Sequence, residues 1–429
     1  MIVLMLLAPL LRPLHSPGVA TPRERATLEA VRAVLHDKTL AINAASLGPG
    51  ASVLRVGDRA FSQDPPVFDV ALAGVGWLIE RGGVRADVNP NFFAYLLTLF
   101  AVALPTAVAG GLIYRTARVF ELPRTWRFGL ALSCVLATGW LSYATVLLPH
   151  APAAAGVMAA IAAVVQFAGA KRPGRAVGWL FLAGLFAALA GVIEPLAIWG
   201  LAAVLVAVMA SGVPVRWRVA GVILTLAGAA APVAMHLTIN PRITGDWRPP
   251  RWHIYTPPPA ASVAPASEPD DPDNGPTGWQ TLGHGVGRLI TLTVGSHGLL
   301  SHFPVLVVGL AGAGLIVRRH WTGAVKALAA ATLVGLMLAL AYRMTARPDA
   351  VDANYATPRL VVFAPALMLW AGAFLRRSHG TVVWIATGTA LGVSVLATFF
   401  GALAPAPPEG YSHYTLAQAI ERLILPPRE

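Results

Sequence analysis

The side chains that could carry chemistry lie in polar segments between long apolar stretches of this sequence. Glu24 follows the first apolar segment, where a carboxylate would lie at a membrane surface. A base in that place can take a proton from an acceptor hydroxyl that attacks a lipid-borne donor. Arg343 and Arg359 flank a later polar segment that contains Asn354 and Tyr355. Because arginine presents a fixed fork of donors, these two predict a site for the phosphate or diphosphate of a lipid headgroup.

Several of these residues also have a purely structural interpretation. Glu24 and Asp64 stand where the N-terminus of a helix favours an oxygen acceptor, and for Asp64 the helix cap is the favoured interpretation. Asp58, between a glycine and an arginine, is most simply a turn residue. The two arginines could equally extend to lipid headgroups without binding a substrate.

His150 and Glu194 each mark a tight turn between apolar segments, the first after Pro149 and the second before Pro195. Ionisable groups close to membrane depth indicate function. A solvated turn with a helix cap explains both residues about equally well, so both interpretations stay open.

Metal and disulfide chemistry are not expected. Cys134 is the single cysteine, which excludes an intramolecular disulfide. Four histidines follow in later segments, and their spacings match no zinc signature: His253, His284, His297 and His302. Neither a metal nor a cofactor is therefore predicted.

The composition identifies the solvent around these residues. Of the 429 residues, 56% are apolar and only 12% are charged, and the mean hydropathy is +0.64. A soluble chain of this length carries roughly a quarter of its residues as charges. The sequence is therefore predicted to be an all-α polytopic membrane protein.

Ten apolar segments are long enough to be predicted as transmembrane helices. They are residues 92–114, 128–147, 152–170, 176–193, 195–210, 219–239, 299–317, 323–342, 360–375 and 381–403. Residues 1–11 are apolar but too short to cross a bilayer alone, and they lack the features of a signal peptide. They fit a partial or truncated first span, which would bring the bundle to 11 helices.

The positive charges predict the orientation. Alternate short loops contain thirteen Arg and Lys residues and only Glu121 as an acid, which predicts that these loops are cytoplasmic. The net charge of +12 is thereby explained by anionic membrane lipids, and no nucleic acid is expected as a partner. The other loops would face the periplasm or exterior of a bacterial inner membrane.

The domain plan follows from these assignments. A first periplasmic loop with amphipathic helices covers residues 12–91, transmembrane helices cover 92–239 and 299–403, a Pro-rich periplasmic loop covers 240–298, and a periplasmic tail covers 404–429. Within the first loop, Thr21-Pro22-Arg23-Glu24 predicts a capping box. Residues 53–61 predict a hairpin-like piece, and residues 67–79 predict an apolar helix that packs on the bundle.

Motifs in this order resemble the GT-C superfamily of polyprenyl-phosphate-dependent glycosyltransferases, which includes protein O-mannosyltransferases, lipid A aminoarabinose transferases and related bacterial membrane proteins. The stretches that carry the resemblance are Arg23-Glu24-Arg25 with the following helix, Phe61-Ser62-Gln63-Asp64-Pro65-Pro66, Leu147-Leu148-Pro149-His150, residues 182–195 ending in Glu194-Pro195, Asn240-Pro241-Arg242-Ile243-Thr244-Gly245, Ser296-His297-Gly298-Leu299-Leu300-Ser301 and residues 354–365 with Arg359. They are spread over nearly the whole chain. Each is weak alone, and their order is fairly specific.

The resemblance implies an inverting transfer of a sugar from a polyprenyl-phosphate donor to an exterior acceptor. In this sequence Glu24 would act as the base, by a shift of one residue from the family's aspartate, and Arg359 and Arg343 would stabilise the departing phosphate. Two positions depart from the family pattern, because Arg23 stands where the family has its catalytic aspartate and Gln63-Asp64 replaces an Asp-Lys pair. A lipid-binding or assembly subunit without catalysis is therefore an alternative, and a transporter is a weaker one because few polar residues lie inside the spans.

Overall fold

The computed structural model describes residues 21–43, 47, 53–248, 278–345, 358–377, 379–403 and 416. Several sequence predictions lie outside the described residues. They are the partial span 1–11, Asn354, Tyr355, His253, nearly all of the Pro-rich segment 249–278 and almost the whole tail 404–429.

Helices dominate the described part of the chain. Numbered in chain order, they are α1 Pro22–Arg32, α2 Pro66–Arg81, α3 Pro90–Thr98, α4 Leu104–Thr116, α5 Arg124–Leu136, α6 Trp140–Ala144, α7 His150–Ala168, α8 Pro173–Ala176, α9 Trp179–Ile193, α10 Trp199–Met209, α11 Val215–Thr244, α12 Gly278–Thr293, α13 Leu299–His302, α14 Leu306–Arg318, α15 Gly323–Thr345, α16 Ala364–Leu375 and α17 Thr381–Leu403. π-helical turns follow α1 at Ala33–Asp37 and join α3 to α4 at Leu99–Ala103. A 3-10 turn follows α4 at Ala117–Phe120. Two more precede helices, one before α10 at Pro195–Ile198 and one before α16 at Pro358–Phe363.

Each of the ten predicted spans coincides with one helix or with a pair of consecutive helices. Among the described residues, five helices are long and apolar enough to cross a membrane: Pro90–Phe120, His150–Ala168, Val215–Thr244, Gly323–Arg343 and Thr381–Leu403. Four shorter apolar helices supplement them. The prediction of a helical, multi-pass membrane protein is confirmed.

The predicted span 128–147 is interrupted, because α5 and α6 are separate helices. Gly139 lies between them with a φ of +73°, a backbone conformation that glycine adopts without steric cost. A Cβ atom at this position would lie 2.5 Å from the ring of Phe303, so the break requires a residue without a side chain. Thr398 of α17 then accepts the Gly139 N–H at 3.1 Å and holds the break in place.

Small residues allow the helices of the bundle to approach closely. A Cβ atom at Gly184 of α9 would lie 1.8 Å from the Thr225 carbonyl oxygen of α11. At Gly228 of α11, a Cβ atom would lie 2.0 Å from the Phe181 carbonyl oxygen of α9. Backbone-to-backbone packing of this kind is typical of helices in lipid, where dispersion contacts replace the hydrophobic effect between helices.

The segment before the bundle is ordered around a small sheet. Strands β2 Val53–Val56 and β3 Arg59–Ser62 form the predicted antiparallel hairpin, with the turn at Gly57-Asp58. Strand β1 Ala41–Ile42, which the sequence does not predict, pairs with the other edge of β3, so the order is β1-β3-β2. The predicted packing of α2 on the bundle is confirmed, since Phe68 and Leu72 are buried in the main core.

Candidate functional site

Four segments that are far apart in sequence meet at one buried polar cluster. Its members are Arg23 of α1, Asp64 before α2, His150 at the start of α7 and Glu194 after α9, and we call them the site cluster. None of the four residues is more than 6% exposed. The sequence analysis singled out each of them separately, and the structure brings them together.

The four side chains contact one another in the order Asp64, Arg23, His150 and Glu194. Arg23 Nε donates to Asp64 Oδ1 at 2.8 Å, and Arg23 Nη2 donates to the same oxygen. Arg23 Nη1 lies 3.4 Å from Nε2 of His150. The other ring nitrogen of His150, Nδ1, lies 2.7 Å from Glu194 Oε2. The guanidinium group of Arg23 lies between the carboxylates of Asp64 and Glu194 in this order. Opposite charges therefore offset one another in a buried region.

Local sequence explains how His150 and Glu194 reach the cluster. His150 is the first residue of α7, directly after Pro149. Glu194 ends α9 with an extended backbone, and its Oε1 accepts the Leu196 N–H at 3.5 Å. The cap interpretation of Glu194 is therefore confirmed, whereas the predicted solvated turn is wrong because both side chains are buried.

Glu24 lies beside the site cluster and binds backbone groups with both carboxylate oxygens. The predicted capping box is confirmed, since Glu24 Oε2 accepts the Thr21 N–H at 2.9 Å and the Thr21 hydroxyl accepts the Glu24 N–H at 3.1 Å. Oε1 accepts the Leu147 N–H at 3.0 Å. The carboxylate therefore joins the start of α1 to the turn that precedes His150.

The predicted cap role of Asp64 is wrong. Pro65 occupies the N-cap of α2, and no side chain caps this helix by a hydrogen bond. The carboxylate instead accepts from Arg23 with Oδ1 and from the Thr27 hydroxyl with Oδ2 at 2.9 Å. The physical reason is that the buried guanidinium of Arg23 requires a counter-ion. Helix α2 begins with Pro66, which has no backbone N–H, so this helix end has less need of an acceptor.

Asp69 is a member of this region that the sequence analysis did not single out. It lies in the first turn of α2 and is 3% exposed. Burial raises the pKa of the Asp69 carboxyl well above its usual value, the Asp64 carboxylate raises it further, and Arg23 acts in the opposite direction. A lone aspartate inside the apolar run Val67-Phe68-Asp69-Val70 is the sequence signal that could have found it.

Three further predicted site residues, Asp58, Arg343 and Arg359, lie in the part of the chain that the structure describes. Asp58 is exposed in the hairpin turn, as its turn interpretation predicts. Arg343 and Arg359 are both buried, at 6% exposure each. Arg359 belongs to Pro358–Phe363, which packs against α7 and against the turn that follows Glu194. Among the residues that the structure describes, no group of three His, Cys, Asp or Glu side chains is arranged to hold a metal ion.

Two apolar grooves open between the helices. The first has a volume of about 630 Å³ and lies between α10 and α15. Its lining comes from residues 195–206 and 327–339. Trp199 lines it and stacks on Phe363 with the ring centroids 5.0 Å apart. The second groove, of about 490 Å³, is bounded by α2, α4, α7 and α9 and includes Phe68 and Leu72.

The sequence matches no protein-family model and no curated protein. Solved structures do match. ArnT from Cupriavidus metallidurans bound to undecaprenyl phosphate aligns with a TM-score of 0.53 and 14% identity, over 98% of this chain and 75% of that one. AglB, the oligosaccharyltransferase of Archaeoglobus fulgidus, aligns in complex with an inhibitory peptide and a dolichol-phosphate, with a TM-score of 0.54 and 11% identity. The chain has the GT-C fold.

The GT-C fold accounts for nearly the whole described chain. The match covers 95% of this chain but only 56% of the AglB chain, so the chain spans little more than half the length of that relative. Identities of 11–14% establish the GT-C fold alone. What the site does must therefore be argued from its own residues.

Proposed function

We propose that this chain is a membrane glycosyltransferase that moves a sugar from a polyprenyl-phosphate donor to an acceptor hydroxyl at the exterior face, with inversion at the anomeric carbon. The observation that carries the proposal is the site cluster, in which four distant segments bury ionisable groups at one end of a GT-C bundle. Buried, paired ionisable groups at a cleft are typical of functional sites.

The first groove suits the donor lipid. Its lining, from residues 195–206 and 327–339, is almost entirely apolar, which matches a polyprenyl tail. Arg343 lies one helical turn beyond Ala339 on α15. Arg359 lies in the segment that places Phe363 against Trp199 of the groove. The two guanidinium groups would bind the donor phosphate, and the bound undecaprenyl phosphate of ArnT and dolichol-phosphate of AglB support a lipid of this class.

The proposed reaction is a single in-line displacement. The acceptor oxygen loses its proton to a buried carboxylate and bonds to the anomeric carbon. The bond from that carbon to the phosphate oxygen breaks, its electron pair stays on the phosphate, and the polyprenyl phosphate leaves. Arg359 and Arg343 would stabilise the charge that develops on the leaving group. Glu24 is the base that the sequence predicts for this step.

A second candidate function is a lipid-binding or assembly subunit without turnover. The ion pair between Arg23 and Asp64 favours it, because each charge neutralises the other inside the site. In this alternative the donor lipid binds in the first groove, and no bond is transferred.

One experiment separates the two functions. The full chain is reconstituted in proteoliposomes, and binding of polyprenyl phosphate and transfer from a panel of polyprenyl-phosphate hexoses and pentoses are measured separately. Transfer by the wild type that Glu24→Gln reduces about a hundredfold supports the enzyme with Glu24 as its base. Undiminished transfer by Glu24→Gln removes Glu24 from the mechanism, and binding without turnover across the panel supports the subunit.

A further inference from the structure

The buried carboxylates at this end of the bundle differ in how their oxygens are used. Glu24 accepts two backbone N–H groups, Asp64 accepts from Arg23 and Thr27, and Glu194 contacts His150 and the backbone of the next turn. A carboxylate whose lone pairs already accept from other groups has little room for a further donor. These three groups are therefore poorly suited to accept a proton from a substrate.

Asp69 is different. Among the buried carboxylates in the part of the chain that the structure describes, it is the one with an oxygen, Oδ1, that has no hydrogen-bond partner. A buried acceptor without a partner is unfavourable, so such a group normally has a functional reason. An incoming hydroxyl would supply the missing donor.

The surroundings of Asp69 set its basicity. Helix α2 packs against α1 and the π-helical turn after it, against α3 and the π-helical turn after it, against α9 and against α11. The titratable and charged residues of these elements are Arg23, Glu24, Arg25, Glu29, Arg32, His36, Asp37, Tyr95, Arg216, Arg218, His236 and Arg242, with Glu194 as the C-cap of α9. The closest charges act in opposite directions, since Asp64 raises the pKa of Asp69 and Arg23 lowers it. A base works best when its pKa lies near the working pH, and a raised value moves Asp69 in that direction.

Open space reaches the turn of α2 that carries Asp69. Phe68 precedes Asp69 and Leu72 follows it by one helical turn, and both line the second groove. The opposite walls of that groove include Pro152 of α7 and Ile193 of α9, which lie beside His150 and Glu194 of the site cluster. Asp69 itself and the four residues of the site cluster are not among the residues that line this groove.

We propose that Asp69 takes the proton from the acceptor hydroxyl. The inference rests on the proposed glycosyl transfer and names a different base from Glu24. The proton moves from the acceptor oxygen to Asp69 Oδ1, the oxygen bonds to the anomeric carbon, and the phosphate leaves with the electron pair of the broken bond. Arg23 and Asp64 are then positioning residues that tune Asp69.

The test uses the full chain in proteoliposomes, with Asp69→Asn, Asp69→Glu and Glu24→Gln. Asp87→Asn serves as the matched control, because Asp87 is an exposed aspartate of the same loop that pairs with Arg85. We expect Asp69→Asn to lower kcat by about a hundredfold or more while KM for the donor and binding of polyprenyl phosphate are kept. Asp69→Glu should keep part of the rate, and Asp87→Asn should match the wild type.

A pH profile separates a base from a residue that only supports the fold. The wild-type rate should rise with pH through the pKa of Asp69, because the ionised carboxylate is the active form. Arg23→Gln should move this rise to higher pH and Asp64→Asn should move it to lower pH, following the direction in which each charge acts. The rise should be absent in Asp69→Asn.

The outcomes are distinguishable. If Asp69→Asn keeps the wild-type kcat and pH profile, the inference is overturned and the proposed function stands. The same conclusion follows if Glu24→Gln is the one variant that loses the pH-dependent rise. No transfer by the wild type overturns both. If Asp69→Asn does not fold, Asp69→Glu decides, since an unshifted pH profile in that variant contradicts the inference.

Discussion

Arg23 donates from two of its nitrogens to one oxygen of Asp64, across 41 residues of sequence, and both side chains are buried. This ion pair joins the first helix to the segment that enters α2, and through His150 it reaches the bundle. The two residues stand where the resemblance to the GT-C superfamily implies an aspartate and a lysine. The chain holds a buried ion pair at these positions.

The first prediction concerns the stability of this ion pair. Removing one partner leaves the other charge buried without compensation, so Arg23→Gln or Asp64→Asn alone should destabilise the protein by about 3–5 kcal/mol. The double variant should recover most of that loss, because no charge remains unpaired. Chemical unfolding in detergent micelles measures both quantities, and additive losses in the double variant would show that the two residues are not coupled.

The second prediction concerns the break between α5 and α6. Gly139→Ala places a side chain at a φ of +73° and against Phe303, and should destabilise the protein by about 2–4 kcal/mol. Gly129→Ala is the matched control, because Gly129 lies inside α5 with open space around it. That variant should be neutral or gain up to about 1 kcal/mol. Equal thermal stability of the two variants would contradict the argument.

The third prediction concerns the donor lipid. Ala331 lines the first groove, so Ala331→Phe should fill part of its volume and weaken the binding of polyprenyl phosphate by about tenfold or more. Ala386→Phe adds the same side chain on the exposed face of α17 and should leave the affinity unchanged. Titration with polyprenyl phosphate in nanodiscs measures both dissociation constants. If Ala331→Phe binds as the wild type does, the tail lies elsewhere.

Hydropathy is sufficient to predict most of the bundle, for a physical reason. A helix that faces lipid must be apolar along its whole length, and α17 has the predicted bounds 381–403 without adjustment. The break at Gly139 is not visible in the same way, because it depends on Phe303, which arrives from a distant segment. Strand β1 has only two residues and is defined by its partner β3, so no local pattern indicates it.

The site is predictable in its members and not in its contacts. His150 and Glu194 are conspicuous because ionisable residues are rare beside apolar spans, and Arg23 is conspicuous because it stands where the resemblance implies an aspartate. Asp64 was predicted to be a helix cap because capping rules are local, whereas its partner Arg23 lies 41 residues away. Asp69 was missed because its significance depends on burial and on the neighbouring charges of Asp64 and Arg23, which only the folded chain brings together.

The last prediction tests the exchanged charges directly. Arg23→Asp combined with Asp64→Lys restores the order of charges that the resemblance implies and keeps the net charge of the site. The exchanged variant should be more stable than either single substitution by about 2 kcal/mol or more, because the ion pair is re-formed. It should remain somewhat less stable than the wild type, since lysine lacks the planar fork with which Arg23 binds Asp64.

The exchange also reports on catalysis, because it returns a carboxylate to position 23 beside His150. Combined with Asp69→Asn in one protein, it should leave transfer as low as Asp69→Asn alone does, because the lysine introduced at position 64 engages the new carboxylate as Arg23 engages Asp64 in the wild type. Arg23→Gln combined with Asp64→Asn and Asp69→Asn is the control, which lacks a carboxylate at all three positions and should stay inactive. Transfer is measured in proteoliposomes beside donor binding, and restored transfer by the exchange variant would contradict this expectation, because it would show that a paired carboxylate at position 23 can supply the base.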